Sequence, residues 1–413
     1  MLGVSGMSRM SIHLPGGIPS KYSSRTYAYR GLFMEKISQL ALQGVTRSFG
    51  TTQALYDFTL DIIGGQFVSL LGPSGCGKTT ALNCLAGLLD LTGGSIILDG
   101  KPIHHIPAEK RGFGMVFQNY ALFPHLTVLK NVSYGLENRR MPKAEIEQRV
   151  RWALDLVHLD FEVFSQRFPA QLSGGQQQRL AIARTIALEP QLLLLDEPLS
   201  NLDSKLRNEM RIEIKALHRQ LGLTTIYVTH DQSEAMSLSD LVVVMRAGHI
   251  EQVGTPQEIY NCPNSSYVAD FMGYSNRIPV EIAGREGSEW LVKTDTGVML
   301  RASSNSVGSK DWKQGDRVVA VARPDDLLAE PLPTTNHLSG TVHLVDYVGK
   351  SYELLVRLDG AETLQLLVCS QTPTEPEQPL QFGIRPERLL LFPVDAALPV
   401  ARPRAKLREA AIR

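Results

Sequence analysis

The stretch of sequence that decides the fold is Gly72-Pro73-Ser74-Gly75-Cys76-Gly77-Lys78-Thr79. It fits the pattern G-x-x-x-x-G-K-[S/T], which marks a loop that cradles phosphate groups, without a mismatch. An apolar run at 66–71 precedes it, and residues 80–86 suit a helix. Strand, glycine-rich loop and helix in this order are the context that a phosphate-binding loop requires.

Each part of this loop has an expected contact with a nucleoside triphosphate. The glycines let consecutive backbone N–H groups point at phosphate oxygens, and the N-terminus of the following helix adds partial positive charge. Lys78 is expected to place its ammonium on the β- and γ-phosphates, and the Thr79 hydroxyl to ligate Mg²⁺. Nucleotide contacts are therefore predicted along the whole loop, from Gly72 to Thr80. Cys76 fits the loop as a small residue, although its oxidation would block the nucleotide.

Size and composition limit the class of protein. The 413 residues suggest two to three domains, and an apolar content of 43% is ordinary for a globular protein. Lysine plus arginine equals aspartate plus glutamate at 42 each, which argues against a protein that binds nucleic acid through bulk positive charge. No apolar stretch approaches the roughly 18 residues that a membrane span needs, and the first residues lack the pattern of a signal peptide. We therefore expect the chain to stay in the cytosol, with any membrane contact made through a partner.

The character of the sequence changes along the chain and predicts four segments. Residues 1–35 are rich in Ser, Gly, Pro and Arg and are interpreted as a disordered arm or a non-native start, with Met34 as the alternative first residue. Residues 36–272 contain the phosphate loop and are expected to form one nucleotide-binding domain. Residues 273–393 are expected to form a small all-β domain, and 394–413 a flexible tail.

Two kinds of sheet are predicted within the nucleotide-binding domain. Short alternating runs punctuated by glycine between 36 and 71 favour antiparallel hairpins. Helical patterns then give way to an alternation of apolar strands and helices, which predicts an α/β fold with a parallel sheet covered by helices on both faces. The predicted elements of this second part are helices at 143–156 and 175–187, a strand at 191–196, a helix at 204–221, a strand at 224–229, a helix at 231–238 and a strand at 241–246.

The C-terminal third is predicted to be all β. Short β-type runs recur between turn residues from 278 to 393, and no helical pattern interrupts them, which favours a small barrel or sandwich. The segment contains a weak internal echo between Ala322-Arg323-Pro324-Asp325-Asp326-Leu327-Leu328 and Ile384-Arg385-Pro386-Glu387-Arg388-Leu389-Leu390. Either a duplicated half-unit or chance explains a match this short.

A pair of carboxylates follows a buried strand. The run Leu192-Leu193-Leu194-Leu195 ends in Asp196 and Glu197. Asp196 is expected to hold Mg²⁺, directly or through water. Glu197 is expected to face the γ-phosphate and to polarise a water molecule. A solvated turn is the alternative interpretation of the same pair.

A second loop, Leu172-Ser173-Gly174-Gly175-Gln176, completes a resemblance to a known family. A serine and two glycines at the start of a helix make a further anion-binding helix terminus. With the phosphate loop about a hundred residues before it and Asp196 after it, the chain resembles the ATP-binding cassette (ABC) family. The resemblance implies a RecA-like parallel core, an antiparallel β subdomain and a helical subdomain. It also implies ATP and Mg²⁺ as cofactors, and a homodimer in which residues 173–176 of one copy bind the γ-phosphate of the ATP held by the other.

Two further positions match residues that carry catalysis in this family. Gln118 resembles the glutamine that links Mg²⁺ and the attacking water to a membrane partner. His230 resembles the histidine that contacts the γ-phosphate; a buried histidine at a strand end is the alternative. With Glu197 as the base, these residues are the catalytic set that the resemblance implies.

Two more positions match nucleotide-contacting residues. Asp203 ends the segment 200–203, which resembles the one that reaches across the dimer, although the family more often has Ala at the position of Asn201. Phe49 lies where the family places an aromatic ring against adenine; plain core is the alternative.

Outside these motifs the resemblance narrows to the ATPase subunits of importers. Segments 119–128, 230–236 and 254–273 are similar to theirs, and 273–393 resembles the OB-like extension of maltose-, polyamine- and iron-type importers, which implies a regulatory β domain. As partners, the resemblance implies two integral-membrane permease subunits and an extracytoplasmic solute-binding protein. It implies no binding of nucleic acid. It places the chain as a peripheral protein on the cytoplasmic face of the inner membrane.

The cargo is open at this stage. Overall similarity favours a polyamine such as spermidine or putrescine, with iron(III), phosphonate or a sugar as alternatives. A soluble, non-transport ABC ATPase is the remote alternative. A chromosome-associated ATPase of this family would need a long coiled-coil insertion, and a translation-associated ATPase would usually carry a second cassette. The sequence contains neither feature.

Overall fold

The computed structural model of this protein describes residues 36–303, 312–329, 331–361 and 363–394. The predicted N-terminal arm and all but the first residue of the predicted C-terminal tail lie outside the described residues. Within the described ranges, no helix is both long enough and apolar enough to cross a bilayer.

The nucleotide-binding part alternates strands and helices as the sequence predicts. Its strands are β1 (Gln39–Phe49), β2 (Thr52–Ile63), β3 (Phe67–Leu71), β4 (Gly93–Leu98), β5 (Lys101–Pro102), β6 (Phe113–Val116), β7 (Leu192–Asp196), β8 (Thr224–Thr229), β9 (Leu241–Arg246) and β10 (His249–Gly254). Its helices are α1 (Lys78–Ala86), α2 (Val128–Asn138), α3 (Lys143–Leu156), α4 (Phe161–Phe164), α5 (Gly174–Ile186), α6 (Ser204–Leu221), α7 (Gln232–Leu238), α8 (Pro256–Asn261) and α9 (Ser266–Phe271).

Two sheets organise these elements. Strands β2, β1, β4 and β5 form an antiparallel sheet in that order. The second sheet has the order β10-β9-β3-β8-β7-β6, and all its pairs are parallel except that of β10 with β9. Every residue of β3, β7 and β8 is buried, and their mostly apolar and β-branched sequences are typical of strands that are covered on both faces. The predicted combination of an antiparallel and a parallel sheet is confirmed.

The parallel sheet separates two hydrophobic cores. Leu193 and Leu195 pack into a core built mostly from α2, α3, α5 and α6. Leu192 and Leu194, on the opposite face of the same strand, pack into a core with α1 and the antiparallel sheet. Successive side chains of a strand point to opposite faces, so β7 is held from both sides and its carboxyl end has a fixed position.

The carboxyl ends of three parallel strands meet at one edge of the sheet. The phosphate loop follows β3, Asp196 ends β7, and His230 follows β8. In open α/β sheets this edge is where ligands bind. The topology therefore brings residues separated by more than a hundred positions in sequence to one place.

The C-terminal part is all β, as predicted, and consists of a sheet joined to a barrel. Strands β13-β12-β11-β14-β20 form a five-stranded sheet, and β15-β18-β17-β16-β19 close into a barrel. The strands are β11 (Asn276–Glu286), β12 (Glu289–Thr294), β13 (Met299–Ala302), β14 (Arg317–Ala322), β15 (Leu327–Leu328), β16 (Asn336–Tyr347), β17 (Tyr352–Leu358), β18 (Gln365–Ser370), β19 (Pro379–Ile384) and β20 (Leu390–Pro393).

The internal echo of the sequence has a structural counterpart. In its first copy, β14 leaves the sheet through the short 3₁₀ helix Pro324–Asp326 and enters the barrel as β15. In its second copy, β19 leaves the barrel through the 3₁₀ helix Pro386–Arg388 and enters the sheet as β20. The two copies are thus reciprocal crossings between the same two sheets, which favours the duplicated half-unit over chance.

A shared hydrophobic core joins the C-terminal sheet to the nucleotide-binding part. Val321, Leu390 and Phe392 pack in one cluster with residues of β9 and with Met272 and Tyr274. The five-stranded sheet is therefore anchored by apolar burial and not only through the connecting chain.

Candidate nucleotide-binding site

The phosphate loop adopts a conformation that requires glycine at two positions. Gly75 and Gly77 have φ values of 79° and 102°, where a side chain would be strained. A Cβ at Gly72 would lie 2.4 Å from the carbonyl oxygen of Met245 on the neighbouring strand. The loop is therefore kept narrow and tightly seated against the end of β9.

Lys78 lies inside the loop and not in solvent. Its side chain is buried, and Nζ donates hydrogen bonds to the carbonyl oxygens of Gly72 at 2.8 Å and Pro73 at 2.9 Å. The Cys76 Sγ is 3.9 Å from the same Nζ, and burial raises the pKa of this thiol. The ammonium is thus positioned where the glycine loop would surround a phosphate.

Thr79 and Asp196 form the inner wall of the site. The Thr79 hydroxyl donates to Asp196 Oδ1 at 3.0 Å. Asp196 is only 8% exposed, and this burial raises the pKa of its carboxyl group. A hydroxyl and a carboxylate oxygen in contact are hard oxygen donors of the kind that Mg²⁺ takes, so the residues present fit this ion.

Glu197 is held in a strained conformation next to Asp196. Its φ is 41°, in the left-handed region that side chains other than Asn and Asp seldom occupy. Its Oε2 lies 3.2 Å from Nδ1 of His230. The Ser200 hydroxyl donates to the Glu197 carbonyl oxygen at 2.9 Å. Strain of this kind concentrates at functional sites, where the surrounding structure maintains it.

Gln118 reaches the same cluster from β6. Its Nε2 donates to the Ser200 hydroxyl at 3.3 Å, and Asn201 Nδ2 donates to the Gln118 carbonyl oxygen at 2.9 Å. Asn201, the departure from the family pattern, therefore ties the glutamine segment to the turn after Glu197. Three segments meet here: the end of β6, the turn after β7 and the end of β8.

The serine–glycine loop forms a helix terminus of its own. Ser173 caps α5: its hydroxyl accepts from the Gln176 N–H at 3.4 Å, while the Gln176 side chain accepts from the Ser173 N–H at 3.0 Å. A Cβ at Gly175 would come within 3.0 Å of the Leu206 side chain on α6. The terminus therefore packs on the start of α6, where Asp203 caps that helix by accepting from two backbone N–H groups.

The predicted residues fall into two groups. The phosphate loop, Asp196, Glu197, His230 and Gln118 are connected by the contacts described above. Within the described residues, no hydrogen bond or ion pair joins residues 173–176 to the phosphate loop.

Phe49 is not a core residue. Its side chain is 46% exposed, and the Arg47 guanidinium lies 4.5 Å above the ring. The core interpretation of this position is wrong, and an exposed ring at the end of β1 remains compatible with adenine stacking.

Sequence reasoning missed a buried polar cluster behind His230. Glu234 on α7 is 5% exposed and accepts hydrogen bonds from Tyr227 at 2.8 Å and Thr229 at 2.7 Å. Arg207 on α6 faces its other oxygen at 3.9 Å. The sequence did contain a signal: Glu234 follows the predicted site histidine by four residues and lies in the first turn of the next helix.

Comparison with known proteins identifies the class to which this chain belongs. The family model of the ABC transporter matches residues 55–200, and that of the TOBE domain matches residues 320–392. Similar relatives include a spermidine/putrescine import ATP-binding protein PotA from Oleidesulfovibrio alaskensis, which is 47% identical over 79% of this chain and 88% of its own length. Another, of the same name from Haemophilus influenzae, is 45% identical over 78% of this chain and 85% of its own length.

A solved structure agrees with these relatives. The protein cbiO1 from Clostridium perfringens, part of the ABC transporter complex cbiONQ, is 31% identical and superposes with a TM-score of 0.51 over 55% of this chain and 91% of its own. The chain belongs to the ABC transporter family. More particularly, it is an ATP-binding, ATP-hydrolysing cassette subunit of that family that carries a C-terminal TOBE domain.

Proposed function

We propose that this chain powers the import of polyamines such as spermidine and putrescine through a membrane transporter. The observation that carries the motor part is the meeting of the Thr79–Asp196 and Glu197–His230 pairs at the edge of the parallel sheet. The cargo rests on relatives that bear the name of a spermidine/putrescine importer and share 45–47% of their residues with this chain. Iron(III), phosphonate or sugar import is the second candidate cargo class.

ATP is proposed to bind between two copies of the chain. Residues 72–80 of one copy hold the phosphates, with Phe49 against the adenine. Residues 173–176 and Asp203 of the other copy close over the γ-phosphate. This arrangement is supported by the separation of the two groups of site residues within one chain. It is also supported by the exposure of Ser173 and Gly174 at the α5 terminus, since the start of a helix attracts an anion.

Hydrolysis is proposed to proceed by in-line attack of water on the γ-phosphate. Glu197 accepts the proton of that water, and His230 and Gln118 keep water and phosphate in line. Mg²⁺, held by Thr79 and Asp196 with Gln118 nearby, would neutralise charge on the phosphate oxygens. Catalysis of this kind consists mostly of positioning and charge stabilisation.

Coupling to transport is proposed to run through the segment that follows Gln118. Two integral-membrane permease subunits would receive the movement of closure, and an extracytoplasmic binding protein would deliver the polyamine. The chain would then act as a peripheral protein at the cytoplasmic face of the inner membrane. Residues 36–272 are proposed as the motor domain and 273–393 as the OB-like regulatory domain.

An uptake experiment tests the cargo. Cells that lack this chain should lose uptake of radiolabelled spermidine and putrescine, and the wild-type chain, but not Lys78→Ala, should restore it. Uptake of labelled iron(III), phosphonate and maltose should be unchanged. If the cells lost uptake of one of those solutes and kept uptake of polyamines, the cargo assignment would be wrong but the role as a transport ATPase would stand. If uptake of every solute were unchanged, the assignment as an importer subunit would be wrong.

Calorimetry tests the role of the loop. Lys78→Ala should weaken ATP binding by about tenfold to a hundredfold, the equivalent of a charge-assisted hydrogen bond. Lys101→Ala, an exposed lysine outside the loop, is the matched control and should bind ATP as the wild type does. Equal affinities of both variants would reject the loop as the phosphate site.

A further inference from the structure

Arg207 lies where the segment 200–203 meets the turn that carries His230. It is on the first turn of α6, and its Nη2 donates to the Leu202 carbonyl oxygen at 2.9 Å. On its other side the guanidinium faces two carboxylates: Nε lies 3.9 Å from Glu234 Oε1, and Nη1 lies 4.0 Å from Asp231 Oδ2. One side chain therefore contacts both segments.

Glu234 connects this arginine to the strand that ends at His230. Its Oε2 accepts from the hydroxyls of Tyr227 and Thr229, both on β8. The Tyr227 pKa is raised well above its usual value, by burial and then by the adjacent carboxylate, so this tyrosine remains a donor. The carboxylate of Glu234 thus has one oxygen fixed by β8 and one oxygen available to Arg207.

The residues on both sides of His230 belong to the same network. The Thr229 hydroxyl also accepts from the Asp231 N–H at 2.9 Å. Asp231 Oδ1 caps α7, accepting from the Ser233 N–H at 2.7 Å and the Glu234 N–H at 3.2 Å. The backbone on which His230 stands is therefore held by groups that Arg207 faces directly.

The contacts of Arg207 with the two carboxylates are ion pairs at the limit of range. Distances of 3.9 and 4.0 Å exceed those of hydrogen bonds, which lie near 2.9 Å for N–H···O. Arg207 Nε is buried and has no hydrogen-bond partner among the residues that the structure describes. A displacement of about 1 Å would convert these ion pairs into charge-assisted hydrogen bonds, which are roughly twice as strong as neutral ones.

We propose that Arg207 is a positioning residue that couples the 200–203 segment to His230 through Glu234 and Asp231. When the segment is pressed by a second copy of the chain, Leu202 moves Arg207 towards its two carboxylates, and the turn is fixed with His230 in line with Glu197. Arg207 lines the same pocket as Glu197, Ser200 and His230. The inference rests on the proposed roles of Glu197 and His230.

The test compares two arginines of the same helix. Arg211 lies one turn further along α6 and reaches Ser233 of α7 at 3.4 Å, but faces neither Leu202 nor Glu234. Steady-state ATPase kinetics are measured for Arg207→Met, Arg207→Lys and Arg211→Met. We expect Arg207→Met to lower kcat roughly tenfold to a hundredfold, the scale for misplacing a reacting group, with KM for ATP within about threefold. Lysine should restore part of kcat, and Arg211→Met should match the wild type.

Further variants keep the test decisive if Arg207→Met folds poorly. Glu234→Gln keeps the shape of the side chain and removes the charge that faces Arg207, so it should lower kcat in the same way. In the Arg207→Met/Glu234→Gln double variant the losses should not add.

Unchanged kcat in both Arg207→Met and Glu234→Gln, or an equal loss of kcat in Arg211→Met, would overturn the proposal. A rise in KM that tracks a fall in melting temperature would reduce Arg207 to a structural residue. Wild-type kcat in Glu197→Gln would instead overturn the catalytic assignment itself.

Discussion

At the scale of single residues, the site depends on a glutamate whose conformation the sequence does not reveal. The sequence motif places Glu197 after a buried strand, but the sequence does not indicate its left-handed backbone conformation, with a φ of 41°. In this conformation the Glu197 carboxylate lies 3.2 Å from Nδ1 of His230. The backbone conformation is maintained by the Ser200 hydroxyl, which donates a hydrogen bond to the Glu197 carbonyl oxygen. The same hydroxyl accepts from Gln118, so the contact that maintains the strained backbone also belongs to the predicted site.

Glu197→Gln should separate binding from hydrolysis. Glutamine preserves an oxygen that can accept from His230, but it cannot take up a proton from water. We expect kcat to fall roughly 10²-fold or more, the scale for losing a general base, with ATP affinity within a few-fold. Phosphate release and calorimetry measure the two quantities, with the exposed Glu209→Gln as control. A kcat within a few-fold of the wild type would show that another group is the base.

Asp196→Asn should stabilise the nucleotide-free protein while abolishing hydrolysis. Because burial raises the pKa of Asp196 in the folded chain, the folded state binds its proton more tightly than the unfolded state does. Its contribution to stability is therefore present below the unfolded pKa and lost as pH rises through the raised pKa. At pH 7 without metal, the melting temperature of Asp196→Asn should exceed that of the wild type, and the gap should close as pH falls below the ordinary pKa of an aspartate. The exposed Asp155→Asn should show no such gap, and an Asp196→Asn protein less stable at pH 7 would contradict the argument.

The motifs predict some residues of the site and not others, for a physical reason. Lys78 and Asp196 are predictable because phosphate and Mg²⁺ demand those groups next to a glycine loop and a strand end. Arg207 and Glu234 are not, because a charged residue on an amphipathic helix usually faces water. Only the packing of α6 against α7 shows that these two face each other.

At the scale of elements, one helix connects the two functional groups of residues. Helix α5 begins at the serine–glycine terminus, and near its other end Arg184 donates to the carbonyl oxygens of Ala121 at 2.7 Å and Tyr120 at 3.1 Å. Both of these residues have positive φ, 62° for Tyr120 and 46° for Ala121. Arg184 therefore maintains a strained loop immediately after Gln118.

Arg184→Met should release that loop. Two charge-assisted hydrogen bonds are lost, which we expect to cost about 1–3 kcal/mol of stability, with the opening concentrated in residues 118–127. Hydrogen–deuterium exchange should show faster exchange in that segment than in the wild type. Arg139→Met, which removes a hydrogen bond of the same type to the Leu188 carbonyl oxygen, should leave the segment unchanged. Equal exchange in both variants would mean that the loop is held by other contacts.

How well each strand can be predicted from the sequence depends on how strong its hydrophobic pattern is. The strands β7, β8 and β9 are predicted within a residue because each is a short run of mostly apolar or β-branched residues that follows a helix. The strands β11, β12 and β13 are not resolved individually by the sequence, since each exposes one face and alternation in short runs is a weak signal. Which strands join the barrel is likewise decided by long-range pairing.

At the scale of the whole molecule, a buried arginine joins the C-terminal part to the nucleotide-binding part. Arg323 is 3% exposed and lies between the rings of Tyr260 and Tyr274, 3.5 and 4.3 Å from their centres. It donates to the Tyr260 carbonyl oxygen and pairs with Asp326 at 3.1 Å. The internal echo offers a matched position, because Arg385 occupies the same place in the second copy and is 47% exposed.

Arg323→Met should loosen the attachment of the C-terminal part. Removing one partner of a buried pair costs up to about 3–5 kcal/mol, although Asp326 would keep its longer ion pair with Arg388, at 3.7 Å. We expect a lower melting temperature and faster proteolysis near residues 272–276. Arg385→Met, at the exposed position of the echo, should change neither. Equal behaviour of the two variants would show that the apolar cluster around Phe392 suffices to hold the two parts together.

The shared-site dimer can be tested by mixing two inactive variants. Ser173→Glu places a negative charge at the α5 terminus and should disable the partner's site, whereas Lys78→Ala disables the chain's own site. Each variant alone has no intact site. A mixed dimer has one, made from the loop of the first variant and the helix terminus of the second. An equal mixture should therefore regain up to about a quarter of wild-type ATPase activity, since half of the dimers are mixed and each has one working site of two.

The control is a mixture of Lys78→Ala with Glu197→Gln, which should regain no activity, because both changes lie on the side of the site that each chain builds for itself. Activity no greater than the sum of the separate variants in the first mixture would mean that each chain hydrolyses ATP without its partner.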